Sequence, residues 1–187
     1  MKRLSSLIIS PVLLLLAASH PAQAQFSVYG TVAATNYGYS FNNDNLTYSP
    51  DHLGFGFGGF YNFHVQSRLT AGIDLRGSVT PNSTGGDKAA ISARFGFVPN
   101  HNPLKPYLQI GGGVIQAKVP AFTNIVQGQT VTTAALDLAL GLDIRLTHSV
   151  DLRLLELESG AGSKGSMSAG SASLSTGLVY HFHPINR

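Results

Sequence analysis

The sequence contains no cysteine, so no disulfide can brace it in an oxidising compartment. It also lacks an apolar stretch long enough to cross a bilayer as a helix, which takes about 20 residues. The longest candidate, 7–18, is broken by Ser10 and Pro11. Helical membrane proteins are therefore excluded, but proteins that cross with strands are not. A dominant charge is missing as well. Lys and Arg number 12 against 9 Asp and Glu, and two of the basic residues, Lys2 and Arg3, stand at the very start. Without them ten basic residues face nine acidic ones, which leaves no electrostatic footprint for nucleic acid. No low-complexity linker or shift of composition divides the chain, so one domain is expected.

The first residues follow the pattern of an export signal. Met1-Lys2-Arg3 is a basic start, 7–18 an apolar run and Ala22-Gln23-Ala24 an A-x-A cleavage site. Residues 1–24 are thus expected to be a cleaved signal peptide, leaving 25–187 as the exported domain.

Within that domain the dominant signal has a period of two. From Leu136 to Leu146 every second residue is a large aliphatic, and each residue between is charged or very small. Strand side chains alternate sides, so this is a strand with one apolar face and one polar face. The pattern recurs between turn-forming residues and predicts eight strands, at 26–35, 52–64, 68–78, 89–98, 106–117, 133–146, 150–157 and 172–182. The connections alternate in length: 36–51, 79–88, 118–132 and 158–171 are long and polar, whereas those near Val65-Gln66 and Thr147-His148 are tight. An up-and-down meander with short turns at one end and loops at the other accounts for this. Outer-membrane barrels show the same asymmetry, with the short turns in the periplasm. An even strand count puts both termini on that side.

Sorting by parity sets an uncharged face that includes Leu53, Phe55, Phe57, Leu75, Ile91, Leu108, Ile110, Leu152, Leu154 and Leu178 against a charged one. The charged face holds Arg68, Asp74, Arg76, Arg94, Asp137, Asp143, Arg145, Asp151 and Arg153, interspersed with glycines such as Gly58, Gly72, Gly111, Gly141 and Gly177. A water-facing sheet surface would favour Thr, Lys and Glu and disfavour glycine. Here Lys88, Lys105, Lys118 and Lys164 all fall in predicted loops or at strand starts. Arginine suits fixed bidentate pairing in confined space, and the bore of an eight-stranded barrel is only just filled by side chains. The expectation is an all-β, eight-stranded antiparallel transmembrane barrel with lipid outside and a paired, structural charge network plugging the lumen, so that no transport channel forms. Phe26, Tyr61, Phe63, Phe95, Phe97, Tyr180 and Phe182 cluster at the strand ends assigned to one rim, as an interfacial girdle would.

Three segments carry a family resemblance. Tyr61-Asn62-Phe63, a tight turn and Leu69-Thr70-Ala71-Gly72-Ile73-Asp74-Leu75-Arg76-Gly77 look like a second hairpin. The strand starting Lys105-Pro106-Tyr107-Leu108 and running through Gly111-Gly112-Gly113 is similar to a family strand, and Leu174 to Phe182 resembles the closing strand. Together, over nearly the whole exported chain, they resemble the outer membrane protein β-barrel domain family, the opacity-like and OmpA- and OmpX-like eight-stranded barrels. The resemblance implies an outer-membrane location and recognition of the closing strand by the barrel assembly machinery. Such barrels usually end on an aromatic residue, whereas here Phe182 is followed by His183-Pro184-Ile185-Asn186-Arg187, which implies an internal signal.

Catalytic and metal sites are weakly supported. His181 and His183 share a strand face, but no further ligands can be placed to complete a metal site. Ser173 and Ser175 lie near His181 in sequence, yet no third orienting group is recognisable. The expectation is a monomeric envelope protein with no enzyme activity and no cofactor. Its partners would be membrane lipid and, through loops 36–51, 118–132 and the Gly/Ser-rich, mobile 158–171, a surface partner of adhesion type. Two alternatives remain: a secreted lipocalin-like barrel holding an apolar ligand, which requires an apolar lumen and a polar exterior, and a barrel enzyme acting on lipid.

Overall fold

A chain whose aliphatic residues recur every second position can gather them on one side only as an extended strand, and each strand then needs a neighbour for its backbone groups. The computed structural model meets both demands by closing the sheet on itself. It describes residues 25–41, 47–48, 52–64, 68–81, 85–99, 102–119, 129–165 and 167–182. The expected signal peptide, 1–24, and the tail, 183–187, lie outside them.

Eight long strands form the wall: β1 Gln25–Phe41, β3 His52–His64, β4 Leu69–Val79, β5 Gly86–Phe97, β6 Leu104–Val119, β7 Gln129–Arg145, β8 Val150–Lys164 and β9 Met167–Phe182. Each pairs antiparallel with the next, and β9 pairs back onto β1 from Phe26↔Phe182 to Phe41↔Met167, so the barrel is closed with no free edge. A two-residue strand, β2 Thr47–Tyr48, lies on Gly38 and Tyr39 of β1 and is not part of the wall. No helix occurs among the described residues.

Several strands outrun their expected limits. β1 continues to Phe41 where an end at 35 was expected, β6 and β7 reach to Val119 and back to Gln129, and β5 starts at Gly86, placing Lys88 inside a strand. The largest correction concerns 158–171. Most of it is not a loop: β8 and β9 stay in register to Lys164↔Met167, and Gly165 turns the chain at φ 63°, a left-handed conformation natural to glycine in a two-residue hairpin. Beyond Leu157 and before Leu174 the outward positions are Ser, Ala and Gly, so the aliphatic beat that marks a strand fades while the hydrogen-bond ladder continues.

The inside-out distribution is plain. Large aliphatic and aromatic side chains cover the exterior, with Leu136 76% and Leu53 65% exposed, whereas Asp74, Arg76, Arg94, Gln109, Asp137, Asp143, Asp151, Arg153 and Glu156 are buried within the barrel. Exposed apolar surface of this extent requires an apolar solvent. Among the described residues, apolar packing inside forms two small clusters, Tyr29, Phe60 and Val179 in one and Tyr37, Ile115 and Ala117 in the other.

Candidate functional site

The middle of the lumen is occupied by one connected set of charges. Arg153 of β8, 0% exposed, directs Nε to Asp143 at 3.2 Å and Nη1 to Glu156 at 3.1 Å. Its guanidinium lies 4.2 Å from the Tyr29 ring centroid and 5.0 Å from that of Tyr107. Asp143 of β7 also receives Arg94 of β5 at 3.0 Å, whose guanidinium sits over Phe60 and Tyr107 at 4.2 and 3.6 Å. Arg76 of β4 reaches Asp74 at 3.1 Å, Glu156 at 3.3 Å and Glu158 at 3.3 Å, and donates to Gln109. Tyr29 and Gln109 donate to Asp74 at 2.9 and 3.1 Å, and Tyr107 donates to Glu156 at 2.6 Å. Further toward the loop end, Lys88 bridges Asp137 at 2.6 Å and Glu158. Buried charge is tolerable only with such multiple partners, and cation-on-ring packing supplies the rest.

Three residues expected in this set are not in it. Asp151 pairs instead with Lys105 and His181 in a separate cluster. Arg68 lies in the turn before β4 and is exposed. Arg145 has the inward parity of its strand, but it is the last residue of β7 and is exposed past the end of the lumen. Parity fixes a face, not a depth. Conversely, Lys88, Glu156 and Glu158 are central although the alternation did not select them. A register shift between Arg153 and Glu156 explains the glutamates: Leu154 and Leu155 both point outward, so parity flips and Glu156 and Glu158 turn in. The adjacent leucines in an otherwise alternating strand were the legible sign of that bulge.

Glycine makes the room. A Cβ at Gly141 would fall on the ring of Tyr107, its register partner. Gly141→Val should therefore displace Tyr107 from both Glu156 and Arg94 and cost about 1 to 3 kcal/mol through overpacking. Gly112 faces outward, where a Cβ meets nothing closer than 3.4 Å, so Gly112→Val should be close to neutral. Urea titration of the refolded barrel in detergent compares the two.

At the end of the barrel that holds Gln25 and Phe182 a second, smaller cluster forms. The His181 ring places Nδ1 2.7 Å from Ser27 Oγ and Nε2 2.7 Å from Asp151 Oδ2, and Lys105 also reaches Asp151 at 2.6 Å. The order serine, histidine, aspartate resembles an activated nucleophile, but Ser27 is 0% exposed. Ser173 and Ser175 are not near His181; they donate to Glu158 and Glu156 at 3.2 and 3.4 Å. His183 lies outside the described residues, and no metal-competent cluster is present among those described. Phe60 separates the two polar clusters, stacked under Arg94 on one side and edge-on to His181 on the other, centroids 6.2 Å apart.

Outside this same end lie the aromatic residues. Phe26 stacks on Phe182 at 5.5 Å, Tyr180 meets Phe182 at 4.9 Å and Tyr61 meets Phe63 at 5.0 Å. Phe95 and Phe97 continue the arc opposite Ala71 and Leu69 of β4. The arc covers β9, β1, β3, β4 and β5.

Toward the loop end, the space remaining between Arg76, Lys88, Glu156, Glu158, Tyr37 and their neighbours is about 30 Å³, room for a water molecule or so. Tyr37 also lines it, its hydroxyl crossing from β1 to donate to the Gly86 carbonyl on β5 at 3.0 Å.

A closed antiparallel barrel, apolar outside and charged inside, defines a membrane-spanning β-barrel. The model of the outer membrane protein beta-barrel domain matches residues 8–182, and the chain belongs to that family of outer-membrane proteins. Among solved structures it is similar to Neisserial surface protein A, at 20% identity and a TM-score of 0.54 over 85% of this chain and 99% of that one. It is likewise similar to the N-terminal β-barrel domain of Pseudomonas aeruginosa OprF, at 15% identity and a TM-score of 0.53 over 86% of this chain and 100% of that one. No curated protein matches it by sequence. Identities this low establish the shared fold. The lipocalin-like alternative fails on polarity, since it requires the opposite faces.

Proposed function

We propose that this protein is a non-enzymatic, monomeric outer-membrane barrel with an occluded lumen, serving the envelope as a structural and surface-interaction element of adhesion type. The observation that carries the reading is the central charge network: its side chains leave only about 30 Å³ between them at the loop end, and below it Phe60, Tyr29 and Val179 pack together on the inner face of three neighbouring strands. Fixed ion pairs of this kind act structurally, because separating any one of them strands a charge away from water.

Orientation follows from the connections. The end with both strand termini and the short Leu146–Val150 turn faces the periplasm, and the longer segments face outward. There 36–51, 118–132 and the protruding β8–β9 hairpin within 158–171 present the surface to a partner, as connections on a rigid scaffold do. Export uses residues 1–24, removed after Ala24, and the assembly machinery reads the β9 strand. The aromatic arc from Tyr180 to Phe97 marks the headgroup level. Hydrolysis of lipid finds no support in a serine as enclosed as Ser27.

Two measurements test this. In planar bilayers the refolded chain should give no stable conducting steps; large, long-lived open states would overturn the occluded lumen. In cells the mature chain should fractionate with the outer membrane and shift mobility on heating in detergent gels, as a closed barrel does.

A further inference from the structure

At the end of the barrel that holds the termini the exposed charges among the described residues are all basic; the carboxylate there, Asp151, is buried and held by Lys105 and His181. The described strand ends there, 61–64, 68–73, 95–99, 102–108, 144–150 and 176–182, contain no Asp or Glu, and their basic residues are Arg68, Lys105 and Arg145. Lys105 is engaged by Asp151. Arg68 and Arg145 are different: both are exposed, and neither makes an ion pair or a side-chain hydrogen bond among the described residues. The nearest carboxylates along their strands and neighbours, Asp74 for Arg68 and Asp143 and Asp151 for Arg145, are buried and already paired with Arg76, Arg94, Arg153, Lys105 and His181.

Their depth is set by what adjoins them. Arg68 precedes Leu69, and Arg145 precedes Leu146, both exposed on the apolar exterior; Leu69 pairs with Phe97 of the aromatic arc. The two guanidinium groups therefore lie at the edge of the lipid-facing belt, not far out in solution. Arg145 also belongs to the β6–β8 sector, whose described outward positions carry no aromatic residue.

We propose that Arg68 and Arg145 form a recognition edge for anionic phospholipid headgroups. A planar guanidinium matches a phosphate with two parallel hydrogen bonds, a long stem at the rim lets the charged head reach the headgroup level, and a rim whose exposed charges are basic favours a net negative headgroup over a zwitterionic one. The aromatic arc holds one side of the rim at the interface, and Arg145 holds the side that lacks it. The inference rests on insertion in the membrane, not on which end faces the periplasm.

The chain has no tryptophan, so single reporters can be placed cleanly: Phe97→Trp beside Arg68, Leu146→Trp beside Arg145, and Leu53→Trp at the opposite rim. Each is refolded into low-salt vesicles of phosphatidylcholine and phosphatidylglycerol in equal parts, with one or the other lipid brominated. Quenching at 97 and 146 should favour phosphatidylglycerol by about fivefold for the adjoining arginine, the ratio to which ~1 kcal/mol per basic residue converts. At 53 no preference is expected. Arg68→Gln and Arg145→Gln should each return their own reporter to parity, as should high salt. A ratio near one at 97 and 146, an equal preference at 53, or a preference that survives the glutamine variants would overturn the proposal. So would arginine-dependent sedimentation of the reconstituted protein with peptidoglycan, which would assign the edge to an acidic wall polymer. Quenching by neither lipid at any position would instead refute membrane insertion itself.

Discussion

Arg153→Met should destabilise the folded barrel by about 3 kcal/mol, the lower part of the range for breaking a buried ion pair. The side chain is wholly enclosed, and the carboxylates it leaves, Asp143 and Glu156, are themselves buried. Asp143 loses its 3.2 Å partner and keeps Arg94 at 3.0 Å; Glu156 loses its 3.1 Å partner and keeps Arg76 at 3.3 Å and the Tyr107 hydroxyl at 2.6 Å. These remaining contacts limit the penalty, but they do not replace the charge. Adding Glu156→Gln to the variant should recover part of the loss, because it removes the carboxylate left in excess. Arg145→Met makes the same chemical change at an exposed position without an ion partner and should stay within about 0.5 kcal/mol. Equilibrium urea titration in detergent, followed by the heat-modifiable gel shift, ranks the three. An Arg153→Met barrel as stable as Arg145→Met would mean that the lumen network does not hold the fold together.

That comparison also shows where sequence reasoning reaches its limit. Period-two alternation assigned faces well because the chain has two different solvents: Leu53, Ile91, Leu108 and Leu140 meet one, Asp74, Arg94 and Asp137 the other. Depth along the strand was not legible. Arg145 shares parity with Asp143 yet ends outside the lumen, since face depends on position modulo two while burial depends on distance from the rim. Bulges break the rule locally. The pair Leu154-Leu155 turns Glu156 and Glu158 inward, and alternation carried straight through that pair puts Glu156 on the wrong face. Composition misled at 158–171, where serine and glycine suggested a mobile connection although their small side chains accompany a continuing ladder to Lys164↔Met167. Lysine misled for a related reason. Placing every lysine after residue 24 in a loop or at a strand start left Lys88 out of the interior, where it bridges Asp137 and Glu158. Pairing partners were beyond reach altogether, because the Arg76 to Glu156 contact joins β4 to β8 across the lumen, and no strand register connects those two.

The second large effect belongs to the exterior. Leu140 lies midway along the lipid-facing stripe of β7, between Leu138 and Leu142, with Leu108 and Leu157 opposite it on the flanking strands. Leu140→Arg puts a guanidinium near the middle of the hydrocarbon, far from either rim, at a cost of about 2 to 4 kcal/mol. Its neighbour Ala139 points the other way, buried against the lumen. Ala139→Ser adds only a hydroxyl beside groups that can hydrogen-bond it and should cost well under half as much. The same arginine at Leu146, one residue past the end of β7, should be almost free, because there the headgroup region is within reach of the side chain. Folded fractions measured in bilayers across a urea series give all three values on one scale. A steep dependence on depth for arginine, together with indifference to serine on the inner face, is the signature of a barrel solvated by lipid. Equal losses at 139 and 140 would mean that the two faces meet the same medium, and the inside-out assignment on which the ion-pair network depends would fall with it.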